Sequence, residues 1–158
     1  MSDIIHVNHL RPYNTQDGFI TRLIHPEIGR DFPSQYDLAS IKSYIHPKQI
    51  GCVEPHTGVR AFEVYHHLID HDLLRFALTL QDAEEIKKLG PDIFRKYFGT
   101  NVIFWGSVAE IIGGRGQIWV MGMHCFGQLL LSSWHMIEEK TEVRLLQEDH
   151  RAGLLFVI

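Results

Sequence analysis

The last third of the chain most constrains the fold. From Asn101 onward, apolar segments of strand length alternate with short polar or glycine-rich turns. Short apolar runs bounded by turn residues are typical of strands, and connections this short join antiparallel neighbours. A helical turn after Ser107 is an alternative inside the first segment. The predicted strands cover residues 102–112, 117–125, 128–137, 141–147 and 154–158.

Capping signals upstream predict helices. Ser34, with an acidic residue three positions later, precedes apolar residues at helical spacing, which predicts a helix over residues 34–45. Asp82 and Glu85 form a second capping pattern and predict that Asp82 begins a helix. Gly90 then ends that helix, and Pro91 opens another that closes at 98–99, so residues 82–98 are predicted to be helical.

Residues 59–81 fit two structures. With a period of 3.6, Phe62, Tyr65 and Ile69 begin one helical stripe that continues to Leu80. With a period of 2, apolar and polar residues alternate on both sides of a turn at 70–72. We favour the hairpin, because aspartates suit a turn and a clear helix start follows at once.

These elements define the fold class. Residues 1–33 contain short apolar pieces punctuated by proline and glycine, which favours irregular structure and short strands. The 158 residues show no linker and no internal repeat, so we expect a single α+β domain covering residues 1–158. Its core is a mainly antiparallel β-sheet with two or three helices packed on one face.

Composition excludes several partner classes. Fifteen Lys and Arg against nineteen Asp and Glu give a net charge of −4, and the chain has no basic run, which disfavours nucleic-acid binding. No apolar stretch reaches the length needed to cross a bilayer, so we expect no membrane partner. Two cysteines and an amino terminus without a secretory signal indicate a cytoplasmic protein.

Eleven histidines raise the question of metal or acid–base chemistry. His66, His67 and His71 form the densest group, and on a helix His67 and His71 would sit one turn apart as zinc ligands. The hairpin would separate them. We therefore predict no cofactor and keep zinc as the alternative, since the spacing matches no recognised metal motif.

A second group consists of His124, Cys125 and His135. Facing positions on one hairpin would let His135 take the proton of the Cys125 thiol, the pairing that a cysteine nucleophile needs. The strand register decides whether they meet. The simpler interpretation is that Cys125 is a small buried apolar residue without reactivity.

One arginine lies within a run of glycines. Arg115 lies in the run 113–116, which could hold an anion on backbone amides. The run lacks the further residues of a phosphate loop, and a hairpin turn explains it more simply.

Bulky apolar residues concentrate on the predicted strands and suggest a binding surface. Most belong to the core, but such a surplus can also line an interface. We expect a non-enzymatic binding or regulatory protein that acts through this surface on a protein partner, or on a second copy as a homodimer paired through the carboxy-terminal strand. The alternative is a small metal-dependent or cysteine-dependent enzyme. The candidate surface residues are Trp105, Trp119, Met121, Met123, Trp134 and Phe156.

Overall fold

Three helices and several strands build an α+β arrangement, as the sequence predicts. The computed structural model describes residues 3–9, 20–23, 33–44, 59–99, 101–111, 118–125, 129–136, 144–145 and 152–155. The helices are α1 (Ala61–Asp70), α2 (Leu80–Lys88) and α3 (Pro91–Phe98). The strands are β1 (Ile4–His6), β2 (Ile20–Leu23), β3 (Gln35–Asp37), β4 (Ile41–Tyr44), β5 (Val59–Arg60), β6 (Asn101–Ile111), β7 (Ile118–Cys125), β8 (Leu129–Met136), β9 (Arg144–Leu145) and β10 (Ala152–Leu155).

The main sheet is an antiparallel meander extended on one side. Its strand order is β4-β10-β6-β7-β8, and β2 also pairs with β6. The pairs β6–β7 and β7–β8 are antiparallel, which confirms the predicted succession of strands in this region. Two small antiparallel sheets, β1–β3 and β5–β9, stand apart from this path among the described strands.

The strand β10 occupies an internal position. It pairs antiparallel with β4 and parallel with β6, where Ala152 lies opposite Ile103. A homodimer paired through the described part of the carboxy-terminal strand is therefore wrong, because both edges of that strand already have partners. Residues 156–158 lie outside the described part of the chain.

Strand β6 is buried on both faces. Val102 and Phe104 belong to a core cluster that includes Ile86 of α2 and Phe94 of α3. The intervening Ile103 and Trp105 belong to a second cluster with Val64 and Leu68 of α1. Because successive strand residues point to opposite faces, α2 and α3 share one face of the sheet, as predicted, and α1 covers the other. A strand enclosed in this way reads as a continuous apolar run.

A close backbone contact crosses the middle of β6. The Gly106 amide donates to the Leu78 carbonyl oxygen at 2.9 Å, and the Leu80 amide donates to Ser107 Oγ at 3.0 Å. The β6–β7 register shifts between Phe104 and Val108, where the strand turns toward this segment. The strand thus continues through Ser107 with an irregularity, and the alternative of a helical turn there is wrong.

The two helices predicted over residues 82–98 are confirmed, but the first of them begins earlier than predicted. Helix α2 begins at Leu80 with Thr79 as its N-cap. Asp82 is the third residue of the helix and forms a capping box with Thr79. The prediction that Asp82 begins the helix is therefore wrong by one turn. Gly90 separates the two helices with a φ of 92°, and Pro91 opens α3 as expected.

Residues 34–45 do not form the predicted helix. Their described part contains β3, a 3₁₀ turn at Leu38–Ser40, and β4. Tyr36 and Leu38 are both buried, and their spacing of two residues is the strand period. Asp37 caps the 3₁₀ turn, because its carboxylate accepts a hydrogen bond from the Ala39 amide. Pairing of β3 with β1 and of β4 with β10 outweighs the helical spacing of the apolar residues.

Residues 61–70 form helix α1, so the predicted hairpin over residues 59–81 is wrong. The helix confirms the 3.6-residue period but not the predicted stripe: Val64 and Leu68, one helical turn apart, are buried against the sheet, whereas Ile69 is exposed. The aspartates do mark the turn that ends α1, since Asp72 has a φ of 55°. A second 3₁₀ turn at Leu74–Phe76 then leads toward α2.

Candidate functional site

The most developed polar site lies around Asp82, in the first turn of α2. Asp82 is fully buried, and its carboxylate accepts four hydrogen bonds. Oδ1 accepts from His9 Nε2 at 3.0 Å and from Tyr36 Oη at 2.5 Å. Oδ2 accepts from the amide and the hydroxyl of Thr79, both at 2.8 Å. We call these four residues the Asp82 network.

Local structure places the acceptor, and distant segments bring the donors. The capping box orients Asp82, because the Thr79 hydroxyl accepts from the Asp82 amide while the carboxylate bonds back to Thr79. His9 follows β1, and Tyr36 lies in the middle of β3. Both are less than a tenth exposed, so water competes little for the carboxylate.

Burial controls the protonation of Tyr36. Desolvation, together with the neighbouring Asp82 carboxylate, raises the pKa of Tyr36 far above its usual value. The hydroxyl therefore keeps its proton and donates to Oδ1. The ring of His9 forms an ion pair with the same oxygen whenever it is protonated.

Aspartate, histidine and tyrosine are also the residue types of acid–base catalysts. Here, however, the carboxylate already uses about four acceptor positions, which is the capacity of a carboxylate group. Its chemistry is therefore that of an anchor, which joins β1, β3 and the start of α2.

The sequence alone did not identify this network. It marked Asp82 as a capping residue, and the Thr79 to Asp82 spacing is a capping signal that was available. No local pattern connects Asp82 to His9 or Tyr36, which lie 73 and 46 positions away. Only the packing of the small β1–β3 sheet brings them together.

The histidines of α1 share one helix, but their rings do not converge. His67 and His71 stack with their centroids 4.0 Å apart, and His71 Nδ1 bonds to the His67 carbonyl oxygen at 2.9 Å. Burial, followed by the neighbouring His71, lowers the pKa of His67. Stacked rings direct their nitrogens side by side, whereas chelation needs them to aim at one point.

His66 lies against other rings of the same helix. Its centroid is 4.2 Å from that of Phe62 and 5.8 Å from that of Tyr65. Within the described ranges, no group of three metal-capable side chains is brought together. Zinc binding by His66, His67 and His71 stays an untested alternative.

The strand register separates the second candidate group. His135 lies opposite Val120, while Cys125 lies opposite Leu129. Cys125 therefore lies five strand positions from Val120, the residue facing His135, a distance of about 17 Å. His124 and Cys125 are consecutive in β7 and point to opposite faces. The register does not bring a histidine base from β8 to the thiol.

Cys125 is buried, as predicted, with 4% of its surface exposed. We expect slow labelling of its thiol by a reagent at neutral pH in a Cys52→Ser background, because the thiol must be exposed before it can react. The check is the labelling rate of the folded protein against the same protein in denaturant. His135→Ala should leave that rate unchanged. A fast reaction that this substitution abolished would contradict the burial.

The predicted binding surface is partly core. Trp105 and Met123 are fully buried and belong to opposite core clusters, and Trp105 stacks on Tyr65 with centroids 6.4 Å apart. They stabilise the sheet and offer no exposed contact. The other residues of the predicted surface have side chains outside the described part of the chain: Trp119, Met121, Trp134 and Phe156. The same is true of His135, a candidate base, and of Arg115, the candidate anion-binding residue.

Comparisons with known proteins identify no relative. The chain matches no protein-family profile, no curated protein and no solved structure. In the parts of the chain that the structure describes, no helix has both the length and the apolar character that a bilayer span requires.

Proposed function

We propose that this protein is a non-enzymatic binding protein that associates with a second copy of itself by pairing the β8 strands of two chains. The observation that carries this proposal is the position of β8 at the end of the strand order of the main sheet. Within the described sheet β8 pairs with β7 alone, so one row of its backbone groups faces away from the sheet.

The two edge strands of the main sheet, β4 and β8, differ in how well they resist pairing with a strand of another chain. At one end, β4 is four residues long and carries the exposed Lys42. Short length and a lysine are the usual protections of an edge strand. At the other end, β8 is eight residues long, and its sequence LLLSSWHM contains no charged residue and no proline. A long uncharged edge favours the addition of another strand.

A second copy is the occupant that we favour. Antiparallel pairing of β8 with itself around a two-fold axis would satisfy both exposed edges at once. The shared surface is then the edge of the sheet rather than either of its faces. We also propose a cytoplasmic location, which the small number of cysteines supports.

Substitution of the two central serines of β8 tests the proposal. We expect the protein to sediment as a dimer at micromolar concentration, and Ser132→Lys or Ser133→Lys to weaken the dimer by about tenfold or more in Kd, because an edge lysine opposes strand addition. Successive strand positions point to opposite faces, so the two variants cover both. Analytical ultracentrifugation over a concentration series gives the Kd.

Ser34→Lys is the matched control, since Ser34 is exposed and lies outside the main sheet. It should leave the dimer unchanged. A protein that sediments as a monomer throughout the series would refute self-pairing. A dimer that resists both β8 variants would place the interface elsewhere.

A further inference from the structure

The small β1–β3 sheet covers one face of the main sheet without joining it. Among the described strands, neither β1 nor β3 pairs with any strand of the main sheet. We propose that residues 3–9 and 33–37 form a cap that opens as a unit while the main sheet stays folded, and that the Asp82 carboxylate is the latch that holds it closed. This inference is independent of the pairing proposed for β8.

The strands of the cap are fastened to each other, which makes them one unit. They pair antiparallel from Ile4 opposite Asp37 to His6 opposite Gln35. Backbone bonds extend this ladder at both ends, since the Val7 amide donates to Ser34 at 2.8 Å and the Leu38 amide donates to Asp3 at 3.0 Å.

The underside of the cap is apolar. Ile5, Val7 and Tyr36 are nearly fully buried in the cluster that also holds Phe94 and Phe104. These contacts are non-directional, so they favour closure without fixing the position of the cap. Opening would expose the apolar face of the main sheet that α2 and α3 flank.

One buried carboxylate fixes both strands of the cap. Asp82 accepts from His9, which follows β1, and from Tyr36 of β3, and it does so from a fully buried position. Hydrogen bonds to a charged group are the strong ones, and they are strongest away from water. Loss of either donor therefore releases one strand from the latch.

A second polar contact lies at the surface. Asp3 accepts from Lys96 Nζ at 2.8 Å and from Tyr97 Oη at 2.5 Å, and these bonds lower the pKa of Asp3. Its partner Lys96 is about half exposed, and exposed pairs of this kind contribute little to stability. Closure therefore depends mainly on Asp82.

The connection from the cap to the main sheet provides a hinge. Directly after β3, the 3₁₀ turn Leu38–Ser40 leads into β4, which pairs with β10. Asp37 caps that turn through the Ala39 amide at 3.0 Å, at an exposed site. A short turn between two separately paired strands can absorb a rotation without breaking either sheet.

Native-state amide hydrogen exchange on the full chain, at graded low urea concentrations, tests the cap. The Val7 and Leu38 amides report on the cap, and amides of β6 and β7 report on the main sheet. We expect the cap amides to exchange through an opening with a weaker urea dependence than global unfolding, because less surface is exposed while the main sheet stays folded. The main-sheet amides should exchange only through global unfolding.

Two tyrosine variants give a matched pair. Tyr36→Phe removes a buried bond to Asp82, and it should speed exchange of the cap amides by about tenfold to a hundredfold relative to the unsubstituted protein, because the bond is lost when the cap opens. Tyr97→Phe removes a surface bond to Asp3 and should change the same rates by less than about fivefold.

Two results would overturn the proposal. In the unsubstituted protein, cap amides with the same urea dependence as the main-sheet amides would mean that the cap unfolds only with the whole. Acceleration of the cap amides by Tyr36→Phe no greater than that by Tyr97→Phe would mean that the Asp82 carboxylate does not hold the cap closed. The first measurement needs no variant, so it stands even if Tyr36→Phe folds poorly.

Discussion

Asp82→Ala is expected to lower the free energy of unfolding by about 3–5 kcal/mol, the range for removing one partner from a buried charged network. The substitution deletes the acceptor of four hydrogen bonds, from His9, Tyr36 and the amide and hydroxyl of Thr79. Alanine leaves these donors buried, and each one that finds no replacement costs about 1–3 kcal/mol. Urea denaturation, monitored by the far-ultraviolet circular dichroism of the helices, measures this loss of stability.

Asp37→Ala is the matched control. Asp37 also caps a helical turn, but its carboxylate accepts a single backbone amide at an exposed site. We expect its removal to cost about 1 kcal/mol, the usual effect of losing a cap. If the two variants lost the same stability, Asp82 would act as an ordinary cap, and the network would contribute nothing beyond it.

Gly106→Ala is expected to lower the free energy of unfolding by about 3 kcal/mol or more, at the upper end of what overpacking costs. A Cβ at this position would lie 2.4 Å from the Ala77 carbonyl oxygen and 2.8 Å from that of Leu78. Both obstacles are backbone atoms, so no side chain can rotate away. Relief would require separating β6 from the segment before α2 and losing the bond between the Gly106 amide and Leu78.

Gly99→Ala separates crowding from backbone conformation. Gly99 has a φ of 72°, which strains other residues, but a Cβ there would meet nothing within 4 Å. We expect a loss of about 1–3 kcal/mol from the strained backbone alone, because a φ of 72° with a ψ of −125° is a sparsely populated conformation for residues other than glycine. Thermal unfolding of both variants gives the comparison. A Gly106→Ala protein as stable as the unsubstituted chain would show that β6 and the preceding segment are not in close contact.

Local chemistry was sufficient for α2, α3 and the antiparallel meander. Gly90 and Pro91 separate the two helices in the sequence and in the structure, because a residue with positive φ and a residue with fixed φ act within one turn. The β6 to β8 strands were predictable because each is an apolar run that ends where turn residues begin.

Predictions from local sequence were wrong where the helical and the strand periods both fit the same residues. Residues 61–70 were predicted as part of a hairpin, yet Val64 and Leu68 pack as a helix against Trp105 and Val108 of β6. Residues 35–44 were predicted as a helix, yet both of their strands find partners elsewhere. In each case, contacts with residues far away in the sequence favoured one of two locally acceptable structures. A periodicity measured over a short stretch of sequence does not include those contacts.

The candidate site shows the same division. The sequence by itself determined that a helix begins near Asp82, because a capping carboxylate acts on amides three residues away. Only the tertiary structure decided that this carboxylate is fully buried and bonded to His9 and Tyr36, and only the strand register decided that His135 lies far from Cys125. Capping is a short-range interaction, whereas burial and register depend on how segments far apart in the chain pack against one another.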